Sequence, residues 1–335
     1  MSQTSDSVVS SPAIVDAPSV SGGQVLYEGD ANHSLYALNA TTGAIICSFQ
    51  TPGVINSSPV VAPDPDGTGP VVYFGDNGPD GDYSEGGHVW AVNGVGNSNG
   101  QCTQKWVFGQ FGNPPAANPG AGAWSSPAYA LNADGTPVVV IGSADPDEAM
   151  YAFNAVTGAV IWRFQYPIGY DFDIGASPTI GVPGDNGIAD GAVYDEGKDS
   201  WVEALDFTTG ALLWNHYLRD IGGVAPSQSG PALDGNTLYE GDGTGMFAYN
   251  ATTGAIVWQN KLTGAVYSCP GITGPSGDQI IFAGDFDGHL LAFDAADGDT
   301  LYSDLTSGFI YSSPAIVNNM VYMDSDNGYL YALKE

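Results

Sequence analysis

The sequence predicts an all-β protein, a seven-bladed β-propeller of four-stranded antiparallel blades, and three observations carry that prediction. The tripeptide Ser/Gly/Cys-Pro-small occurs seven times, at Ser11-Pro12-Ala13, Ser58-Pro59-Val60, Ser126-Pro127-Ala128, Ser177-Pro178-Thr179, Gly230-Pro231-Ala232, Cys269-Pro270-Gly271 and Ser313-Pro314-Ala315. Its prolines stand 47, 68, 51, 53, 39 and 44 residues apart, which fits four-stranded blades and is too long for leucine-rich or helical repeats. Between them lie short β-branched and aromatic runs bounded by Gly, Pro, Asn and Asp, the composition of strands rather than helices. Repeats therefore start near residues 10, 57, 125, 176, 229, 268 and 312, and the uninterrupted array reads as a single domain over 1–335.

Within a repeat the elements follow a fixed order. A short apolar run after the proline makes the first strand, and a polar turn separates it from a second, such as Val25-Leu26-Tyr27, Val71-Val72-Tyr73 or Ile280-Ile281-Phe282. A Gly- and Asp-rich turn leads to a third strand, as in Leu35-Tyr36-Ala37-Leu38 and Met246-Phe247-Ala248-Tyr249. The Ala between bulky neighbours leaves room for a facing sheet, because packed sheets need large and small residues to interdigitate. Asx-led turns follow at Asn39–Gly43, Asn154–Gly158, Asp206–Gly210, Asn250–Gly254 and Asp294–Gly298, each closing on a Gly suited to positive φ. Four residues beyond the Gly, in the fourth strand, stands Trp162, Trp214, Trp258 or Tyr302.

This register of Ala, Asx, Thr or Asp, Gly and Trp resembles the tryptophan-docking motif of the pyrroloquinoline-quinone (PQQ) type propeller repeat family. The resemblance covers nearly the whole chain. It implies that Trp106, Trp162, Trp214, Trp258 and, at a weaker match, Tyr302 dock between neighbouring blades. Repeat 1 departs with Cys47 in the Trp position, and repeat 2 stretches its turn over Gly94–Gly100 before Trp106. Repeat 7 reaches Leu333 just after its third strand, so the last blade is expected to be closed weakly by the N-terminus near Ser5 to Val9, or to be three-stranded. Cys47 and Cys102 fall near outer strands of consecutive repeats and can pair in an oxidising compartment or remain separate buried thiols. Cys269 replaces the Ser before a repeat proline and reads as a small filler.

Charge narrows the partners. Six Lys and Arg against 37 Asp and Glu leave a formal net charge of -31, a field that repels phosphate backbones and anionic lipid. Nucleic acid is therefore not an expected partner, nor is membrane insertion, since no apolar run approaches the roughly 18 residues that span a bilayer. Cationic partners, divalent metals and neutral sugars are compatible with it. The start Met1-Ser2-Gln3-Thr4-Ser5-Asp6 lacks the features of a signal peptide, yet the family is mostly periplasmic or extracellular, and an extracellular or periplasmic location is the expectation.

The links between blades and the turns between second and third strands open on one face, where propeller function usually lies. Blade 2 gathers Asp76, Asp80, Asp82 and Glu85 there, oxygen-rich chemistry that suits Ca²⁺ although the spacing is not that of an EF-hand, so calcium is the candidate cofactor and a solvated acidic turn the alternative. Aromatic links supply Trp124, Tyr166, Tyr170, Phe172, Tyr217, Tyr267 and Tyr311 as stacking surfaces or as wedges between blades. Trp124, Tyr170, Asp171, Asp173 and Arg219 are the candidate ligand-binding residues, Arg219 being the basic residue of these links. No close His pair suggests zinc, and no Gly-x-Ser-x-Gly turn marks a nucleophile.

Three functions fit this reading. The first is a non-catalytic binding or scaffold module for a protein or saccharide partner, similar in repeat type to the outer-membrane assembly lipoprotein propeller. The second is a PQQ-dependent alcohol or sugar dehydrogenase; the chain has neither the adjacent cysteine pair nor the haem Cys-x-x-Cys-His that members of that class carry, so PQQ is not the expected cofactor. The third is a propeller hydrolase, lyase or isomerase using channel-mouth acids, because one scaffold hosts unrelated chemistries. The catalytic residues of such an enzyme and the oligomeric state are not legible in the sequence.

Overall fold

In the computed structural model the described residues are 10–334, apart from 18–19, 65–66, 68, 79–85, 110–121, 124, 145–146, 167–174, 185–186, 198–200 and 219–228. They form 27 strands and no α-helix. Blade 1 comprises β1 (Ala13–Asp16), β2 (Gln24–Gly29), β3 (Ser34–Asn39) and β4 (Ile45–Gln50), and blade 2 comprises β5 (Val60–Pro63), β6 (Pro70–Asp76), β7 (His88–Asn93) and β8 (Thr103–Phe108). Blade 3 holds β9 (Ala128–Leu131), β10 (Pro137–Gly142), β11 (Ala149–Asn154) and β12 (Val160–Gln165). Blade 4 holds β13 (Thr179–Gly181), β14 (Ala192–Glu196), β15 (Trp201–Asp206) and β16 (Leu212–Tyr217). Blade 5 holds β17 (Ala232–Asp234), β18 (Thr237–Asp242), β19 (Gly245–Asn250) and β20 (Ile256–Lys261). Blade 6 holds β21 (Gly271–Thr273), β22 (Ile280–Gly284), β23 (His289–Asp294) and β24 (Thr300–Leu305), and blade 7 holds β25 (Ala315–Val317), β26 (Met320–Ser325) and β27 (Tyr329–Lys334).

Every sheet is an antiparallel meander in chain order, four-stranded except the three-stranded seventh. This is the fold class of a seven-bladed β-propeller. The expected closing segment near Ser5 to Val9 lies outside the described residues. The chain groups into two compact units, Met1–Gly175 with blades 1 to 3 and Ala176–Glu335 with blades 4 to 7.

Within each unit neighbouring blades are joined by one repeated device. Ala91, Ala204 and Ala248 of the third strands face Trp106, Trp214 and Trp258 of the fourth, and a register shift follows each Ala. Each indole Nε1 donates to a carbonyl of the next blade: Trp106 to Ala155 at 2.8 Å, Trp214 to Ala251 at 2.9 Å and Trp258 to Ala295 at 2.9 Å. The same three carbonyls also accept the hydroxyls of Tyr73, Tyr194 and Tyr239 from the second strands. Tyr and Trp rings keep the same relation at all three joints, 5.9, 6.0 and 5.9 Å between centroids. Beneath each indole lies the Gly that closes the Asx turn of the next blade. A Cβ on Gly158, Gly254 or Gly298 would come within 2.7 Å or less of the ring, so only Gly serves, and its φ of 71–78° agrees.

The joint between blades 1 and 2 is built differently. Cys47 faces Ala37 where blades 2 to 6 place an aromatic residue, and it is bonded to Cys102, with Cα atoms 5.2 Å apart. Gly96 packs against Cys47 as Gly158 packs against Trp106, and Tyr27 still donates to Gly94 O at 3.0 Å. The lengthened turn brings Cys102 alongside β4, where Ser48 and Gln101 form a parallel bridge. Cys47 Sγ lies 3.7 Å from Gly94 O, the carbonyl equivalent to Ala155 O, but in the disulfide it has no proton to donate. The covalent bond to Cys102 supplies the tie instead.

The Ser-Pro tripeptides form a second seam. Ser11 N donates to Ser58 Oγ and Ser58 N to Ser126 Oγ in the first unit, as Gly230 N donates to Cys269 Sγ and Cys269 N to Ser313 Oγ in the second. Cys269 is thus an acceptor in the Ser position as well as a filler.

Candidate binding face

At the end of the sheet that carries the turn between second and third strands, blades 1, 2, 5 and 6 repeat one backbone frame. An Asp at the end of the second strand caps the turn: Asp30 Oδ1 accepts Asn32 N and Ser34 N, Asp242 Oδ1 accepts Thr244 N, and Asp285 Oδ1 accepts His289 N at 2.7 Å. The link to the next blade then inserts one apolar residue whose N–H meets the carbonyl of that Asp, as with Ile55 on Asp30, Ala123 on Asp76, Val266 on Asp242 and Ile310 on Asp285. The inserted residue sits on a Gly of the second strand, and a Cβ on Gly29, Gly75, Gly241 or Gly284 would fall 2.0–2.4 Å from it. Around Ile55, Val266 and Ile310 the flanking residues are less buried than the inserted one.

In the links after blades 5 and 6, three of the four flanking positions are aromatic, the fourth being Ala265. Tyr267 follows buried Val266, while Phe309 and Tyr311 flank buried Ile310. Phe286, at the turn of blade 6, is held by its N–H on Ala265 O, and its ring meets Tyr267 at 4.2 Å, Tyr311 at 4.5 Å and Phe309 at 5.6 Å. Phe309 is 53% and Tyr311 54% exposed. The link is braced by Thr306 Oγ1, which donates to Gly288 O and Gly308 O, and by Ser307 at φ 69°. Asp326 N donates to Phe309 O, so the exposed Asp326 is tied by its backbone to the same link, and exposed Asp287 follows Phe286 in the chain.

Blade 4 breaks the frame. Glu196 occupies the place that Gly29, Gly75, Gly241 and Gly284 hold in other blades, and it is fully buried. Glu240 of blade 5 is buried with it, as are Asp242, Asp195 and Glu203, the last two directly opposite each other in β14 and β15. Burial holds the Glu240 carboxyl well above the usual carboxylate range, a hydrogen bond with Glu196 pulls it down, and the charges of Asp195 and Asp242 push it up again. Burial also raises the hydroxyls of Tyr249 and Tyr267, and the negative charge of Glu196 adds to both, linking the buried acids to the aromatic array.

The residues singled out from the sequence fare unevenly. Asp76 is the blade 2 copy of the repeated cap: its Oδ1 accepts His88 N at 2.6 Å and faces His88 Nδ1 at 2.9 Å, and its Oδ2 accepts Trp90 Nε1 at 2.9 Å. Those three contacts use both oxygens and tie the carboxylate to the turn. Asp80, Asp82 and Glu85 lie outside the described residues, as do Trp124, Tyr170, Asp171, Asp173 and Arg219. Among the described residues no three His, Cys, Asp or Glu side chains are grouped to hold a metal ion. Trp162 is buried and faces Ala152. Tyr302 differs from the indoles: it is 41% exposed, and its hydroxyl donates to Asp304 of its own strand. Phe286, Phe309, Glu196 and Glu240 were missed; aligning the repeats would have marked Phe286, Phe309 and Glu196 as departures, whereas Glu240 shares its position with Glu28 and Asp195 and carries no such signal.

Comparison with known proteins agrees with the architecture. Residues 198–335 match the family described as outer membrane protein assembly factor BamB. No curated protein matches the chain in sequence. Among solved structures, BamB from Moraxella catarrhalis is similar with a TM-score of 0.68 at 19% identity, over 98% of this chain and 86% of that one. Quinohemoprotein alcohol dehydrogenase from Comamonas testosteroni gives 0.67 at 16% identity over 89% of this chain and 61% of that one, so the chain spans less than two thirds of that enzyme. Sqt1 from Saccharomyces cerevisiae gives 0.67 at 14% identity, over 93% of this chain and 81% of that one. At such identities the likeness is one of fold. Together with the sevenfold Pro register and the meander blades, these matches support a PQQ-like β-propeller fold, the family match itself extending over residues 198–335.

Proposed function

We propose that the protein is a non-catalytic binding or scaffold module that presents the link end of blades 5 to 7 to a macromolecular partner. The observation that carries this reading is the array of Tyr267, Phe286, Phe309 and Tyr311, two of its rings more than half exposed on braced links. Exposed aromatic groups held rigid by a scaffold cost solvation in the free protein and are a feature of interaction surfaces. The Cys47–Cys102 bond fits an oxidising, extracytoplasmic setting. No helix among the described residues is long and apolar enough to cross a membrane.

Incubation of the full chain with PQQ and Ca²⁺ followed by gel filtration tests the reading. The protein is expected to elute without quinone absorbance and without dye-coupled alcohol oxidation. Co-elution of the quinone with that activity would overturn it in favour of a dehydrogenase.

A further inference from the structure

Resting on the binding-module reading, we propose that the aromatic array of blades 5 to 7 is a docking surface for a basic segment of a partner protein, whose Arg or Lys side chains lie over Phe309 and Tyr311. Ring faces attract cations through their quadrupole, and the planar guanidinium stacks on them as well. Exposed acids border the array: Asp326 is tied to Phe309 through its backbone hydrogen bond, and Asp287 follows Phe286 in the chain with its Oδ2 accepting Thr263 Oγ1 at 2.6 Å. Among the described residues of this unit only Lys261 and Lys334 are basic, and over the whole chain 37 acids face six bases. An anionic segment would be repelled, and a purely apolar one would leave these carboxylates desolvated beside it. The ligand chemistry that satisfies rings and acids together is a cationic peptide.

The array is also pre-formed, which favours an unstructured partner segment. Phe309 and Tyr311 cannot fold back, because Ile310 between them is buried and its N–H is tied to Asp285 O. The ordering cost of binding therefore falls on the incoming peptide. The frame itself is common to other blades, whereas the side chains are not: Val54 and Asn56 occupy the equivalent flanking positions after blade 1.

A fluorescein-labelled arginine-rich peptide titrated with the full chain at roughly 0.15 M salt tests this, with a neutral oligosaccharide as the second probe. The double variant Phe309→Ser/Tyr311→Ser, checked for an unchanged circular dichroism spectrum and melting temperature, is expected to weaken peptide binding about tenfold or more. Asp287→Asn/Asp326→Asn should weaken it and flatten its salt dependence, while Asp16→Asn, an exposed acid of the other unit, should leave it unchanged. Equal peptide affinity for the wild type and the Phe309/Tyr311 variant would overturn the proposal, since diffuse attraction to the net charge would then account for binding. Oligosaccharide binding that the same variant abolishes, without peptide binding, would also overturn it and leave the binding-module reading standing.

Discussion

The joint between blades 1 and 2 and the joint between blades 5 and 6 do the same work with different chemistry. In the second, Trp258 lies on Gly298 and donates to Ala295 O, which Tyr239 also reaches. In the first, the Tyr remains, donating from Tyr27 to Gly94 O, but the indole is replaced by the Cys47–Cys102 bond. The difference teaches that the repeat conserves a requirement, a tie from the outer strand to the next blade's turn, and that either dispersion plus a hydrogen bond or a covalent bond meets it. The two solutions respond to different insults. An indole joint is indifferent to redox conditions, and a disulfide joint is not.

The largest expected effect comes from removing an indole. Trp258→Ala should cost about 3–5 kcal/mol, since it opens a cavity over Gly298 and leaves one fewer donor on Ala295 O. Trp258→Phe should lose much less because the ring contact survives. Urea unfolding measures both, and near-wild-type stability in Trp258→Ala would mean that the Tyr clamp alone holds the joint.

Next comes the disulfide, which closes a separation of 55 residues and on chain-entropy grounds should contribute about 4 kcal/mol. Dithiothreitol should lower the unfolding midpoint of the wild type and leave that of Cys47→Ser/Cys102→Ser unmoved. An identical shift in both would show that the reagent acts elsewhere and would break the comparison.

The smallest effect sharpens it at a third joint, between blades 4 and 5, where Glu196 and Glu240 replace the Gly241 and Ala283 found at the corresponding places between blades 5 and 6. The folded Glu240 carboxyl holds its proton to a higher pH than it does in the unfolded chain. Below the usual carboxylate value both states are protonated and nothing is lost. As the pH rises toward the folded value, unfolding releases a proton and stability falls, by up to about 1.4 kcal/mol per pH unit for one such group. Glu240→Gln should flatten that fall between mildly acidic and neutral pH. A pH profile unchanged from wild type would place the dependence on other groups.

Much of this was readable from residue order. The Pro register, the turn glycines and the Trp positions are spaced by local rules, and each appears in the fold where the repeat puts it. Asp76 shows what aligning the repeats adds: comparison with Asp30, Asp242 and Asp285 reveals a shared capping role that its own loop did not disclose. Tyr302 shows a limit. It matches the Trp by spacing but is exposed, and its hydroxyl donates to Asp304 of its own strand. Glu196 went unnoticed because an acid at the end of a strand looks ordinary until its equivalents prove to be glycines.

Local sequence was enough for the strands, their meander order and the number of blades, because hydrogen-bonded hairpins and Asx turns depend on neighbours a few residues away. Three-dimensional packing alone settled which distant groups meet. It brought Cys47 onto Cys102, put Glu240 against Glu196, and gathered Tyr267, Phe286, Phe309 and Tyr311 into one surface. Those meetings depend on how one blade is seated on the next, which is governed by the volume and shape of side chains far apart in the chain.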